Sequence, residues 1–215
     1  MISLPYKTLR DSIQRGIYAL TDPFIRMLLR LHVTPNMLTT TGLLGNILAA
    51  VLLVASALSH PAAPSLSHFA VCGLLILFAS LFDMLDGRLA RKGALTTPFG
   101  AFYDSVLDRY CELLTLSALA LMFMIYQRPL FALITLLSLV GSLMVSYVRA
   151  RAEGLGAECK VGLMQRPERV VLTALGLLCA PFCRTLWAIV VPQILIALLA
   201  NYTAILRILH VRKQL

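Results

Sequence analysis

Long apolar runs separated by short polar breaks dominate the chain. They fall at about 37–58, 67–90, 99–126, 129–150, 169–188 and 189–209. Each approaches or reaches the roughly 20 residues an α-helix needs to cross a hydrocarbon core. The pattern therefore predicts an all-α, polytopic membrane protein with six transmembrane helices. The last two runs are the least sharply divided, because Pro181, Arg184 and Pro192 crowd their junction. A different pattern precedes them. Leu9, Ile13, Ile17 and Leu20 recur at helical spacing, followed by Phe24, Met27, Leu28 and Leu31. Residues 3–31 are expected to form an amphipathic helix on the membrane surface, with a solvated arm as the alternative. Pro5, Lys7, Arg10, Arg15, Asp22 and Pro23 interrupt this stretch, so no cleavable signal peptide is expected. The organisation is a juxtamembrane arm over 1–32 and one six-helix domain over 33–215.

Composition agrees: 59% of the residues are hydrophobic and 13% charged, against about 25% charged in soluble domains. The mean hydropathy is +0.84. Cys72, Cys111, Cys159, Cys179 and Cys183 show no ligand spacing, and the four histidines are scattered, so neither a disulfide framework nor a zinc site is expected.

Charge sets the orientation. Of the 19 Lys and Arg residues, 17 fall at the ends and loops that share a side with the arm, and the opposite side receives only Arg128 and Arg184. Basic residues stay in the cytoplasm, so both termini, the acidic segment described next and the loop at 151–168 are expected there. A basic face of this kind suits anionic lipid or anionic substrates rather than nucleic acid.

The segment 82–109 reads FDMLDGRLARKGALTTPFGAFYDSVLDR. Asp83 and Asp86 are three apart, and Asp104 and Asp108 four apart, so each pair shares a helical face. The polar turn with Gly93, Thr96, Thr97 and Pro98 lets the two helices run antiparallel, aiming both pairs at one volume. Four carboxylates there repel one another unless a cation sits between them. Hard oxygen ligands favour Mg²⁺ or Mn²⁺, and four carboxylates could hold two such ions, an arrangement suited to phosphoryl chemistry. Gly87 and Ala90 leave one helix side bare for close approach of a ligand, Gly100 allows tight helix contact, and Arg91 can fork onto phosphate oxygens. A structural ion pair or an ion pathway is the competing reading of such charges.

The pattern Asp-x2-Asp-Gly-x2-Ala-Arg-x8-Gly-x3-Asp-x3-Asp at 83–108 resembles the signature of the CDP-alcohol phosphotransferase family at every fixed position. The resemblance implies transfer of a substituted phosphate from a CDP-linked donor to an alcohol, with release of CMP. It implies two metal ions on Asp83, Asp86, Asp104 and Asp108, with Asp108 as the base on the acceptor hydroxyl. Asp83, Gly87, Ala90 and Arg91 would meet the CDP donor. Thr34 and Asn36 join them, because Val33-Thr34-Pro35-Asn36 is similar to a family element near the nucleotide; on the residues alone, it is a helix start with Thr34 as cap and Pro35 in the first turn. The apolar bundle points to a CDP-diacylglycerol-type lipid as donor. The resemblance further implies a homodimer in a prokaryotic inner membrane.

The acceptor is read from the basic loop YVRARAEGLGAECKVGLMQRPERVV. Arg149, Arg151, Arg166 and Arg169 are expected to converge near the metal site, a density that a phosphate-bearing acceptor needs and a neutral one does not. Membrane-edge anchoring is the competing reading. The segments 147–153 and 166–169 resemble the bacterial phosphatidylinositol phosphate synthase branch, which implies inositol 1-phosphate as acceptor and adds Arg207 from the last helix. Phosphatidylglycerophosphate synthesis from glycerol 3-phosphate is the alternative. An Asp-rich prenyltransferase is more remote, because both acidic pairs lie within 26 residues here. A cation transporter is equally remote, for want of polar residues leading to the far side.

Overall fold

The computed structural model describes residues 21–62 and 64–215. Among them are seven helices and no strand: a helical stretch over 21–30 (α1), α2 (Pro35–Ser59), α3 (Leu66–Lys92), α4 (Pro98–Ile125), α5 (Pro129–Glu153), α6 (Arg166–Cys183) and α7 (Trp187–Val211). Proline in the first turn starts α2, α4, α5 and α6, where its fixed φ suits the helix and its missing N–H costs no bond. Thr34 and Thr97 cap α2 and α4, accepting from the Met37 and Gly100 amides.

Helix α2 packs on α3 and α4, α3 on α6, α6 on α7, α7 on α5, and α5 on α4. The six long helices thus close into a ring. Small residues let them approach. A methyl group on Gly73 would stand 2.8 Å from the Ala174 carbonyl oxygen of α6, and one on Gly176 2.9 Å from that of Ala188. The main apolar core lies at the end of the ring formed by the α2–α3, α4–α5 and α6–α7 connections, where Leu53, Phe69, Phe123, Leu177 and Ile189 are buried together. The opposite end holds, among the described residues, the acidic residues and every Lys and Arg except Arg128 and Arg184.

Helices α2, α3, α5 and α7 are long and apolar enough to cross a membrane, and the chain is an integral membrane protein with several apolar helices. The expectation of six such spans is met in four. Helix α4 carries Asp104, Asp108, Arg109 and Glu112, and α6 carries Arg166, Glu168 and Arg169; the same side chains that build the site keep these two from reading as plain spans. The fifth run was expected at 169–188, yet α6 begins at Arg166 and ends at Cys183. Pro167 sets the earlier start. Arg184, in the left-handed region at φ 51°, breaks the helix before the apolar pattern ends. Pro181 and Pro192 lie inside α6 and α7.

Of the residues expected to mark the arm, Leu9, Ile13, Ile17 and Leu20 lie outside the described residues. In α1 the expected face divides. Leu28 is buried with Ile25 against Leu38, Leu85 and Leu89, whereas Phe24, Met27 and Leu31 stay exposed. Asp22 ties this helix to the end of α3, at 3.0 Å from Arg88 Nη2 and 2.7 Å from Lys92 Nζ. All five cysteines are free.

Candidate active site

The turn between α3 and α4 brings the acidic pairs together. The Gly93 and Leu95 amides donate back to the Leu89 and Ala90 carbonyls, closing α3. The left-handed residue is Ala94, at φ 52°, not the preceding glycine. Gly93 is small for another reason: a methyl group there would meet Leu29 of α1 at 2.7 Å.

Asp83, Asp104 and Asp108 each offer a carboxylate oxygen within 4.8 Å of the others. Asp86 is not in this trio. It is 4% exposed, and its Oδ2 accepts a 2.6 Å hydrogen bond from the Thr39 hydroxyl of α2. Arg166 Nη1 lies between two members of the trio, 2.6 Å from Asp83 Oδ2 and 2.8 Å from Asp108 Oδ1. Arg109 Nη1 approaches Asp108 Oδ2 at 3.5 Å. Asp104 Oδ1 is buried, with no hydrogen-bond partner among the described residues. A buried, unpartnered carboxylate oxygen beside two more carboxylates is a donor set for a hard divalent cation, so this cluster could bind metal.

Three cavities touch these aspartates: one of about 610 Å³, lined by Asp83 and Asp108 with Ile76, Leu116 and Thr173, and two clefts beside them. The first cleft, of about 590 Å³, lies among α2, α3 and α4 and is lined by Asn36, Asp86, Gly87, Ala90, Arg91 and Asp104, with Thr39 and Gly100. Thr34 does not line it; its hydroxyl caps α2, 3.4 Å from the Met37 nitrogen. A methyl group on Gly87 would meet only the Arg91 guanidinium, at 3.5 Å. The bare helix side therefore faces the cleft, with Arg91 folded beside it.

The second cleft, of about 700 Å³, has Asp83 and Asp108 on one wall and Arg149, Arg166, Arg169 and Arg207 around it. Four of the five expected arginines thus share one space. Arg151 does not, and it is exposed. Residues two apart point to opposite sides of a helix, so α5 cannot aim both Arg149 and Arg151 into one cleft. Arg207 is held by its Nε on the Val161 carbonyl at 2.8 Å. Arg166 and Arg169 are ion-paired to carboxylates of α3 and α4.

Sequence reasoning missed several contributors. Glu112 lies one helical turn after Asp108, and both its oxygens grip Arg169; the i, i+4 spacing was a readable signal. Arg109, Ser146 and Gln165 also line the second cleft, with no signal in the sequence to single them out. Thr39 was readable only as one of three threonines in a row.

Residues 32–209 match the protein family described as CDP-alcohol phosphatidyltransferase. The archaetidylinositol phosphate synthase of Methanothermobacter thermautotrophicus is 39% identical over 147 residues, covering 67% of this chain and 72% of its own length. The phosphatidylinositol phosphate synthase of Mycobacterium tuberculosis is 35% identical over 206 residues, covering 91% of this chain and 88% of its own. The crystal structure of the M. tuberculosis enzyme with CDP-DAG bound superposes with a TM-score of 0.78 at 29% identity, over 90% of this chain and 94% of that one. The same enzyme in complex with manganese and citrate gives 0.77 at 30% identity, over 89% and 88%. With the family match across most of its length and a relative of this similarity, the chain belongs to the CDP-alcohol phosphatidyltransferase family of enzymes.

Proposed function

We propose that this enzyme moves the phosphatidyl group of CDP-diacylglycerol to a hydroxyl of inositol 1-phosphate and releases CMP. The observation that carries the reading is the division of the carboxylates between two clefts: Asp86 and Asp104 line one, Asp83 and Asp108 the other. A donor in the first and an acceptor in the second meet at the wall of acids between them. The names of the M. tuberculosis and Methanothermobacter relatives support an inositol phosphate acceptor, and the CDP-DAG bound to the M. tuberculosis structure supports the donor.

In this reading Asp83, Asp86, Asp104 and Asp108 hold two Mg²⁺ or Mn²⁺ ions, which supply positive charge against the diphosphate when bound. Asn36, Gly87, Ala90 and Arg91 receive the CDP part, the small residues allowing close approach and Arg91 balancing charge that builds on the departing CMP. Arg149, Arg166, Arg169 and Arg207 hold the acceptor phosphate, which orients the attacking hydroxyl toward Asp108. Asp108 takes the hydroxyl proton as the new P–O bond forms and the bond to CMP breaks. Fixing two substrates in this way removes much of the entropic barrier. All six long helices cross the membrane, the acidic end faces the cytoplasm in keeping with its basic loops, and the chain acts as a homodimer.

The test is CMP release by purified protein given CDP-diacylglycerol and, in turn, inositol 1-phosphate, inositol, glycerol 3-phosphate and serine. Turnover with inositol 1-phosphate alone is expected. Turnover with glycerol 3-phosphate alone would replace the acceptor, and turnover with free inositol would remove the need for the four arginines.

A further inference from the structure

The end of the ring opposite the carboxylates has a charge arrangement of its own. No acidic residue occurs at 23–82, 113–152 or 169–215, so the three connections at that end contain none. They nevertheless carry Arg128 and Arg184. Both arginines line a single cleft of about 720 Å³, together with Pro64, Leu66, Phe131 and Trp187. All three connections at that end contribute to it.

Neither guanidinium has an ion-pair partner among the described residues. Two cations on one cleft repel, and among the described residues no carboxylate pairs with either; an anion between them turns the repulsion into attraction. Arg184 is also costly where it stands. It ends α6 in the left-handed region, at φ 51°, a position that glycine fills without steric penalty. The chain keeps a guanidinium there instead. The cleft has an aromatic side: Phe131 and Trp187 pack edge to face at 5.1 Å, and Trp187 is 53% exposed. Tryptophan of this kind settles at the level of lipid headgroups.

We propose that Arg128 and Arg184 form a binding site for the phosphate of an anionic phospholipid at the membrane surface opposite the carboxylate end. Each guanidinium presents a planar fork that matches a pair of phosphate oxygens. Leu66, Phe131 and Trp187 supply the apolar wall that a glycerol backbone and acyl stem need and that a free phosphate ion does not use. The site is independent of the reaction proposed above, because none of its residues lines either cleft at the carboxylates.

Native mass spectrometry of the purified protein in a neutral detergent tests this, with phosphatidylglycerol, phosphatidylcholine and inorganic phosphate each titrated in. The wild type is compared with the pair Arg128→Gln/Arg184→Gln and with Arg128→Lys/Arg184→Lys. The wild type is expected to carry one more phosphatidylglycerol than the glutamine pair, with apparent affinity at that site falling about tenfold, while phosphatidylcholine occupancy is equal in both. The lysine pair keeps the charge and loses the fork, and is expected to bind at least threefold more weakly than wild type. This comparison stands alone if the glutamine pair does not fold. Equal phosphatidylglycerol occupancy in wild type and glutamine pair, or unchanged affinity in the lysine pair, overturns the site. Displacement of phosphatidylglycerol by an equal concentration of inorganic phosphate overturns the lipid assignment in favour of the free ion.

Discussion

Glu112 holds Arg169 with both oxygens, at 2.6 Å to Nε and 3.0 Å to Nη2. A third donor of the same guanidinium reaches the Met164 carbonyl at 3.0 Å. Arginine has five N–H donors, so two are left for the cleft that Arg169 lines. The residue is 2% exposed. It is clamped by α4 and by the segment before α6, so its direction is set before any substrate arrives.

The clamp predicts two distinguishable outcomes. Glu112→Ala leaves a buried charge unpaired and should destabilise the protein by about 3–5 kcal/mol, read as a lowered Tm. Glu112→Gln keeps the shape and should raise KM for a phosphorylated acceptor about tenfold, ~1.4 kcal/mol, with the donor KM unmoved. An unchanged acceptor KM in a folded Glu112→Gln protein would detach Arg169 from acceptor binding.

Arg149 and Arg151 offer an internal control. Arg149 lines the second cleft, the one proposed for the acceptor, and Arg151 does not. Arg149→Ala should raise the acceptor KM by roughly tenfold, whereas Arg151→Ala should leave it within about twofold. Equal effects would mean that net charge, not placement, governs acceptor binding.

In the proposed reaction Asp108 takes the proton from the acceptor hydroxyl. Asp108→Asn is nearly isosteric and should lower kcat by roughly 10²–10⁴, with CDP-lipid binding kept. Near-normal kcat in that variant would move the base elsewhere.

The dock of α1 should depend on pH. The hydrogen bond from Lys92, with the charges of Lys92, Arg88 and Arg26, holds the Asp22 carboxyl below its ordinary range. A lowered pKa means that the stabilisation is complete above the ordinary aspartate value and disappears as the pH falls through the lowered one. Protection of the Ile25 and Leu28 amides, the free-peptide exchange rate at the same pH divided by the observed one, should therefore be high at neutral pH and fall below about pH 4. Asp22→Asn should show the lower protection at every pH. Protection that is high and independent of pH in both proteins would remove Asp22 from the dock.

Much of this fold was legible because long apolar runs and first-turn prolines are local signals. The ends of α2, α3 and α4 fall within two residues of the pattern. The end of α6 was not legible, because apolarity continues past Arg184 while the backbone turns left-handed there. At the site, Asp83, Asp104 and Asp108 come together from spacing alone, since the turn between α3 and α4 is short. The turning of Asp86 toward Thr39 needed the position of α2, which no spacing within 83–108 contains. The split of Arg149 from Arg151 could have been read from their two-residue separation.

The central claim is that carboxylates shared by α3 and α4 carry out a metal-dependent phosphatidyl transfer. CMP release from CDP-diacylglycerol and inositol 1-phosphate, by purified protein first stripped with EDTA and then given Mg²⁺ or Mn²⁺, tests it most directly. The account predicts no CMP after stripping, restored release with either ion in the wild type, and no restoration in Asp104→Asn. Undiminished CMP release in excess EDTA, or full restoration in Asp104→Asn, would contradict it.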